Sequence, residues 1–244
     1  MDQGEKAGTP QQVNYSLDLL LRDEHDRSHI RSQLALIKAE YAIRGRSVLE
    51  LGCGLGANLE LFRQDNAVSG IEGLASAVVE ARSRNLPVVQ GNLESQLEIE
   101  SGTIDWVLCL DVLEHLEHPF GLMVEIRRIL RDNGRAILNV PNHFNASGRV
   151  RLLFGSGLDV HGFFPEAHEW DNPHLRFFTQ SGIKQLVVSS GFELLDDRSS
   201  RFIAFPKHTL FERAGLGFIP RVFTRANPNL FASGFFFIIQ KALG

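Results

Sequence analysis

The sequence predicts an α/β protein built on a parallel β-sheet with helices covering both faces. Through residues 47–140, short apolar runs alternate with segments of helical spacing, a rhythm typical of βαβ crossovers. The first apolar run ends in a loop with glycine at every second position, Gly52, Gly54 and Gly56. Because glycine lets a backbone turn sharply and approach a ligand closely, this loop predicts a binding site at the carboxyl edge of the sheet.

Composition narrows the class of protein. The chain has 244 residues, of which 43% are apolar and 22% charged, as in ordinary globular proteins. Its formal net charge of −4 disfavours nucleic acid as a partner. Two cysteines are too few for a disulfide framework and indicate reduced thiols. No signal peptide is visible near the start and no transmembrane segment is found, so we expect a cytoplasmic protein with a single domain over residues 1–244 and a mobile start over residues 1–22.

The elements of the first half follow from their spacing. Apolar Ile30, Leu34 and Ile37 recur at helical intervals, which predicts a first helix. The last helix of this half ends at an Asp-Asn-Gly turn, and Pro141 ends the strand after it. The predicted helices are Asp23–Tyr41, Ala57–Arg63, Ala75–Arg84 and Gly121–Leu130. The predicted strands are Ser47–Leu51, Ala67–Ile71, Pro87–Gln90, Ile104–Leu110 and Arg135–Val140.

The second half is less regular. We predict a helix over Gln180–Ser190 with Gly191 as its cap, and strands over Phe192–Leu195 and Phe231–Gln240. Residues 143–178 and 200–230 show little periodicity. Long irregular segments in a compact domain are often functional loops, so we expect these two to be insertions on the substrate side of the sheet.

Two polar residues after the predicted strands indicate a nucleoside ligand. Glu72 ends the second strand, 20 residues after Gly52, where a carboxylate can accept hydrogen bonds from ribose hydroxyls. Asn92 comes after the third strand and could bind an adenine edge. A surface role for Glu72 and a plain turn at Asn92 are the alternatives. The glycine loop fits a dinucleotide fingerprint, and together with Glu50 it also fits the E-x-G-x-G-x-G pattern of S-adenosylmethionine enzymes.

Three stretches carry a resemblance to a known family. Residues 48–58, 104–119 and 129–142 together resemble class I S-adenosylmethionine-dependent methyltransferases, most closely the group that includes ubiquinone-biosynthesis O-methyltransferases and related bacterial small-molecule methyltransferases. His174 to Thr179 also matches that group. The resemblance implies a Rossmann-like, seven-stranded, mostly parallel sheet whose last strand is antiparallel. It implies S-adenosylmethionine as cofactor, with these binding residues: Glu50, Gly52, Gly54, Gly56, Glu72, Asn92, Leu93 and Asp111.

The residues after the fourth strand are candidates for catalysis. Asp111, Glu114 and His115 form a D-x-x-E-H arrangement. It resembles the E-x-x-E-H motif of small-RNA 2′-O-methyltransferases and certain ubiquinone enzymes, in which a later histidine, matched here by His174, completes a divalent metal site. Carboxylate and imidazole ligands suit Mg²⁺, Mn²⁺ or Zn²⁺. Many relatives with Leu-Glu-His at this position use no metal, so His115 and His174 are predicted as catalytic residues and the metal is left open.

The resulting hypothesis is methyl transfer from S-adenosylmethionine to a small-molecule acceptor, at a hydroxyl oxygen. The alternatives are an NAD-dependent oxidoreductase, a non-catalytic S-adenosylmethionine-binding partner subunit, and an RNA 2′-O-methyltransferase. Residues 202–220 mix apolar side chains with Lys207 and Arg213. This mixture favours either a peripheral membrane contact or a folded lid.

Overall fold

Seven strands form one twisted sheet in the computed structural model, which describes residues 20, 28–158, 172–205 and 207–242. The strands are β1 Ser47–Leu51, β2 Ala67–Glu72, β3 Val88–Gln90, β4 Ile104–Leu110, β5 Leu130–Pro141, β6 Phe192–Asp197 and β7 Gly234–Lys241. The strand order is β3-β2-β1-β4-β5-β7-β6, and β7 alone runs antiparallel to its neighbours. This arrangement confirms the predicted Rossmann-like, mostly parallel sheet.

Helices cover both faces of the sheet, as predicted. The helices are α1 Ser28–Glu40, α2 Ala57–Phe62, α3 Ala75–Ser83, α4 Pro119–Ile129, α5 Ala146–Leu153, α6 Gln180–Ser189, α7 His208–Arg213, α8 Phe218–Ala226 and α9 Pro228–Phe231. One apolar layer lies beneath α4 and α6, and the opposite layers lie beneath α1, α2 and α3. Strand β4 contributes side chains to both faces: Val107 and Cys109 pack on one side, Trp106 and Leu108 on the other, because successive side chains of a strand point to opposite faces.

Strand β5 differs from the prediction at its start. It begins at Leu130, directly after α4, instead of at Arg135. Ile104 of β4 pairs with Leu130 and Trp106 pairs with Arg135, so the Asp-Asn-Gly segment forms an irregularity inside the strand. The Asp-Asn-Gly residues therefore lie within β5 and do not form a turn between α4 and β5.

The predicted start of the last strand is wrong. Phe231 lies in α9, and β7 begins only at Gly234. The cause is a helix start that the sequence analysis did not use. The Asn227 side chain accepts the backbone N–H of Leu230, and Pro228 occupies the first turn, both of which are typical of helix N-termini.

The described parts of the two insertions contain helices that the sequence analysis did not predict. Segment 200–230 contains α7, α8 and α9, and the first insertion contains α5. Residues 159–171 of the first insertion lie outside the described residues, as do residues 1–19 of the predicted mobile start and the first residues of the predicted first helix. No helix among the described residues is long and apolar enough to cross a membrane.

Candidate active site

A cavity of about 670 Å³ opens at the carboxyl edge of β1, β2, β3 and β4. Parallel strands end at the same edge of a sheet, so residues that come after different strands meet there. Seven of the eight predicted cofactor-binding residues line this cavity, together with one predicted catalytic histidine. They are Glu50, Gly52, Gly54, Glu72, Asn92, Leu93 and Asp111, with His115.

The glycines of the loop have different surroundings. Gly54 has φ +51°, and among the described residues a Cβ built there would meet only Leu20 Cδ2, at 3.7 Å. The space beside Gly54 is therefore part of the cavity. A larger side chain in place of Gly54 would fill that space. Gly56 does not line the cavity, and a Cβ there would lie 2.2 Å from Leu86 Cδ1. The geometry of Gly56 serves the packing of α2 on the residues before β3.

Two carboxylates are held beside the loop by amide groups. Glu50 is buried, and its Oε1 accepts a hydrogen bond from Asn58 Nδ2 at 2.7 Å. Glu72 accepts the backbone N–H of Gly54 at 2.8 Å and that of Leu74 at 2.9 Å. No ion pair among the described residues includes Glu72. These hydrogen bonds give both carboxylates defined orientations beside the cavity.

Asp111 lies at a backbone position that side chains seldom adopt. Its φ is +55°, in the left-handed region where aspartate is one of the better tolerated residues. Its backbone N–H donates to the Asn139 carbonyl at 2.9 Å, and its carboxylate accepts from Asn139 Nδ2 at 2.5 Å. Asp111 lines the cavity. Of the four residues in the possible metal set, it is the one that does not belong to the group of closely spaced ligand atoms.

The other three residues of that set do meet. Potential ligand atoms of Glu114, His115 and His174 all lie within 4.8 Å of one another. The Glu114 backbone carbonyl accepts hydrogen bonds from the backbone N–H groups of Leu175 and Arg176 at 2.7 and 2.9 Å. These bonds hold the segment that contains His174 next to the residues that follow β4. This trio could bind a divalent cation, or its imidazoles could exchange protons with a ligand.

His115 has a defined tautomer. Its Nδ1 lies 3.0 Å from the Pro173 carbonyl oxygen. A carbonyl can only accept a hydrogen bond, so Nδ1 carries the proton and Nε2 of the neutral ring has a lone pair. The Nε2 atom lies 3.9 Å from Oε1 of the buried Glu114 carboxylate.

His143 contacts His174 and was not among the predicted catalytic residues. Its Nε2 lies 2.7 Å from Nδ1 of His174, and both rings are buried. Burial lowers the pKa of His143 to about 4, so the ring is neutral near pH 7. His143 comes just after β5, as Asp111 comes just after β4. This position after a parallel strand could have predicted that His143 lies near the site.

Two asparagines have different parts in the cavity lining. The Asn92 side-chain oxygen accepts the Glu94 backbone N–H at 2.9 Å, so its amide nitrogen is the group left to contact a ligand. Asn58, also in the lining, was missed as a site residue. Asn58 lies in the first turn of the helix after the glycine loop, and its side chain reaches Glu50 from there. This position in the sequence could have predicted its contact with the site.

The cysteines do not contribute a nucleophile. Both Cys53 and Cys109 are buried and free, as predicted. Burial, with the nearby carboxylates, raises the pKa of each thiol far above its ordinary value. Both thiols therefore remain neutral. Because the thiolate is the reactive form of cysteine, neither residue can act as a nucleophile.

Comparisons with known proteins agree on one family. Residues 23–196 match the family model of a methyltransferase domain. A probable S-adenosylmethionine-dependent methyltransferase of Mycolicibacterium smegmatis is 28% identical over 68% of this chain and 59% of its own length. A ubiquinone biosynthesis O-methyltransferase of Roseobacter denitrificans is 24% identical over 65% of this chain and 64% of its own.

A solved structure shows the same fold. A chain from the complex of the Haloferax volcanii Trm112 methyltransferase activator with a methyltransferase superposes with a TM-score of 0.63, covering 97% of this chain and 100% of that one at 18% identity. The chain spans about half the length of the first curated relatives it matches.

Proposed function

The chain belongs to the methyltransferase domain family, and on that premise we propose that it transfers a methyl group from S-adenosylmethionine to a hydroxyl oxygen of a small-molecule acceptor. The observation that carries the proposal is the set of carboxylates around the glycine loop, Glu50, Glu72 and Asp111. S-adenosylmethionine carries positive charge on its sulfonium and ammonium groups, and an acidic cavity attracts such a ligand.

The same charges argue against a dinucleotide. NAD would bring a negatively charged diphosphate to the glycine loop, where the buried Glu50 carboxylate would repel it. Glu72 does not distinguish the two cofactors, since a carboxylate can accept from both hydroxyls of a ribose in either one. Asn92 and Leu93 are proposed to contact the adenine, by hydrogen bonding and apolar packing respectively. Gly52 and Gly54 supply close backbone approach, whereas Gly56 is proposed to act through the packing of α2.

When bound, S-adenosylmethionine supplies an activated methyl group. The protein then has to align the acceptor oxygen with that methyl group, and alignment alone can contribute on the order of 7–11 kcal/mol. His115 reaches the cavity wall, and its Nε2 lone pair can take the proton of an acceptor hydroxyl. The carboxylate of Glu114 stabilises the charge that this transfer leaves on the ring.

His174 is proposed as the second catalytic histidine. Its ring lies 4.8 Å from that of His115, measured between centroids, and its Nδ1 faces His143. His143 stays neutral because burial lowers its pKa to about 4. A proton taken by His174 therefore remains on His174.

A metal-dependent version of this step uses the same residues. Glu114, His115 and His174 would hold a divalent cation, and their carboxylate and imidazole donors suit such an ion. The cation would polarise the acceptor hydroxyl, and this would replace base catalysis by the histidines. A metal requirement distinguishes the two versions.

The first experiment measures ligand-induced stabilisation. Thermal unfolding is followed with S-adenosylmethionine, S-adenosylhomocysteine or NAD, each with EDTA or Mg²⁺. A ligand at 100 times its Kd adds about 2.7 kcal/mol of stability, so a rise in Tm with the two sulfur ligands is expected. A rise with NAD alone would reject the proposed cofactor. Binding without methylation of any tested phenol, alcohol or RNA would favour the non-catalytic partner subunit.

The histidine assignment has its own test. His174→Gln is expected to reduce methylation of a responsive acceptor by roughly 10²–10⁴-fold, the usual contribution of a general base, while binding of S-adenosylhomocysteine stays unchanged. His118→Gln is the matched control, because His118 is exposed at the start of α4. Unchanged turnover in His174→Gln would remove His174 from the mechanism. Loss of wild-type turnover in EDTA, restored by Mg²⁺ or Mn²⁺, would support the metal version.

A further inference from the structure

Large apolar side chains cluster on the outer surface of the two insertions. Among the described residues, 17 large apolar side chains are exposed, and nine of them lie within residues 149–158 and 207–226. We call these two segments the insertion face. The nine are Val150, Leu152, Leu153, Phe154, Leu210, Leu216, Phe218, Val222 and Phe223. Contiguous exposed apolar surface marks a binding site more often than scattered exposure does.

Helix α8 exposes apolar side chains that an ordinary surface helix would bury. Its buried side carries Pro220 and Thr224, and the Thr224 hydroxyl donates to the Pro220 carbonyl at 2.7 Å. Phe218 and Val222, one turn apart, are 61% and 60% exposed. A surface helix normally buries its apolar stripe, so this stripe is available to something outside the chain.

The two segments of the insertion face are connected through α9. The rings of Phe205, Phe223 and Phe231 pack together with centroids 5.2–5.7 Å apart. Helix α9 contacts both α8 and α5, so the two segments are joined. At the end of α5, Leu153 and Phe154 are 80% and 81% exposed.

The charge of the insertion face is opposite to that of the chain. The whole chain has 25 basic and 29 acidic residues. The insertion face has six basic residues and one acidic residue, Glu212. The basic residues are Arg149, Arg151, Lys207, Arg213, Arg221 and Arg225. Within the described part of the chain, no ion pair involves any of the last four.

We infer that the insertion face binds the surface of an anionic lipid bilayer. Its apolar side chains would enter the boundary between headgroups and acyl chains, and its arginines and lysine would contact lipid phosphates, as in interfacial amphipathic helices. A second copy of the chain is a poorer occupant, because a symmetric contact would bring like-charged arginines together. The inference concerns a surface outside the cavity and does not depend on the proposed reaction.

The test is co-sedimentation of the full chain with vesicles. One set contains phosphatidylcholine alone, and the other contains phosphatidylcholine with phosphatidylglycerol. We expect binding to the anionic vesicles that weakens as salt is added, and little binding to the neutral ones. The double substitution Arg221→Gln/Arg225→Gln should weaken anionic binding roughly 30-fold, equivalent to about 1 kcal/mol for each arginine.

A second pair of variants separates apolar insertion from charge. Phe218→Ser/Val222→Ser should lower vesicle binding at least about tenfold, since each side chain would lose its apolar burial. Val79→Ser/Val188→Ser is the control, because both valines are similarly exposed but lie on α3 and α6. Equal effects of the two pairs, or no binding to anionic vesicles at low salt, would overturn the inference. A dimer in sedimentation velocity that Phe218→Ser/Val222→Ser dissociates, without vesicle binding, would assign the face to self-association and also overturn it.

Discussion

Carboxylates at the two edges of the same sheet have different partners. At the amino edge, Asp105 at the start of β4 accepts the Ser47 backbone N–H at 2.9 Å and lies 3.3 Å from Arg131 Nη1 and 3.7 Å from Arg46 Nη1. At the carboxyl edge, Glu72 is bound by two backbone N–H groups, and the Asp111 carboxylate accepts from an asparagine amide.

This difference separates stability from binding. A carboxylate already paired with guanidinium groups contributes to the folded state and has little attraction left for a ligand. A carboxylate held by neutral amides has a fixed position and keeps its field, which a cationic ligand can then use. Strand ends at the amino edge therefore stabilise the sheet, and those at the carboxyl edge form the cavity.

The largest expected effect comes from filling the cavity at its glycine loop. Gly54→Val should weaken binding of S-adenosylhomocysteine by at least about 100-fold in calorimetric titration, because the side chain would occupy space that is open beside Gly54. Gly45→Val is the matched control. Gly45 also has a positive φ, +62°, and no atom of the described residues lies within 4 Å of a built Cβ, but Gly45 precedes β1 at the other edge.

Both glycine variants should lose similar stability, about 1–2 kcal/mol, from forcing a side chain into the left-handed region. Ligand affinity should nevertheless change only in Gly54→Val. If Gly45→Val weakens binding to the same extent, the loss reflects general destabilisation, and the cavity does not hold the cofactor as proposed.

A smaller effect is expected from neutralising one carboxylate. Glu72→Gln should weaken S-adenosylhomocysteine roughly 10- to 100-fold, equivalent to about 1–3 kcal/mol for charge-assisted hydrogen bonds. The carboxylate at the opposite edge provides the comparison: Asp105→Asn should leave affinity within about twofold of wild type. Equal losses in both variants would contradict the separation of the two edges.

The strands could be predicted because a buried parallel strand is a short apolar run, and β1 and β4 have the predicted bounds. The glycine loop and Glu72 could be placed because the order of the chain determines which residues lie at the end of each strand. The contact between His143 and His174 could not, since it joins segments 31 residues apart and depends on how the first insertion folds. The close approach of Gly56 to Leu86 could not be predicted either, because it depends on how the residues before β3 pack on α2.

The smallest predicted effect concerns stability at the amino edge. Burial opposes ionisation of Asp105, but the Ser47 N–H and hydroxyl and the guanidinium groups of Arg131 and Arg46 hold its pKa below its usual value. A lowered pKa stabilises the folded state above the unfolded-state value of about 3.9, and this stabilisation is lost as pH falls through the folded-state pKa. Asp105→Asn should therefore reduce the free energy of unfolding at pH 7 by about 1–3 kcal/mol.

Urea titrations across pH check this prediction. The difference between wild type and Asp105→Asn should shrink as pH falls below about 4, because the protonated wild-type side chain then resembles asparagine in charge. A difference that stays constant from neutral to acid pH would mean that shape, and not charge, makes Asp105 stabilising. The amino edge would then be a packing feature, and its contrast with the carboxyl edge would rest on Glu72 and Asp111 alone.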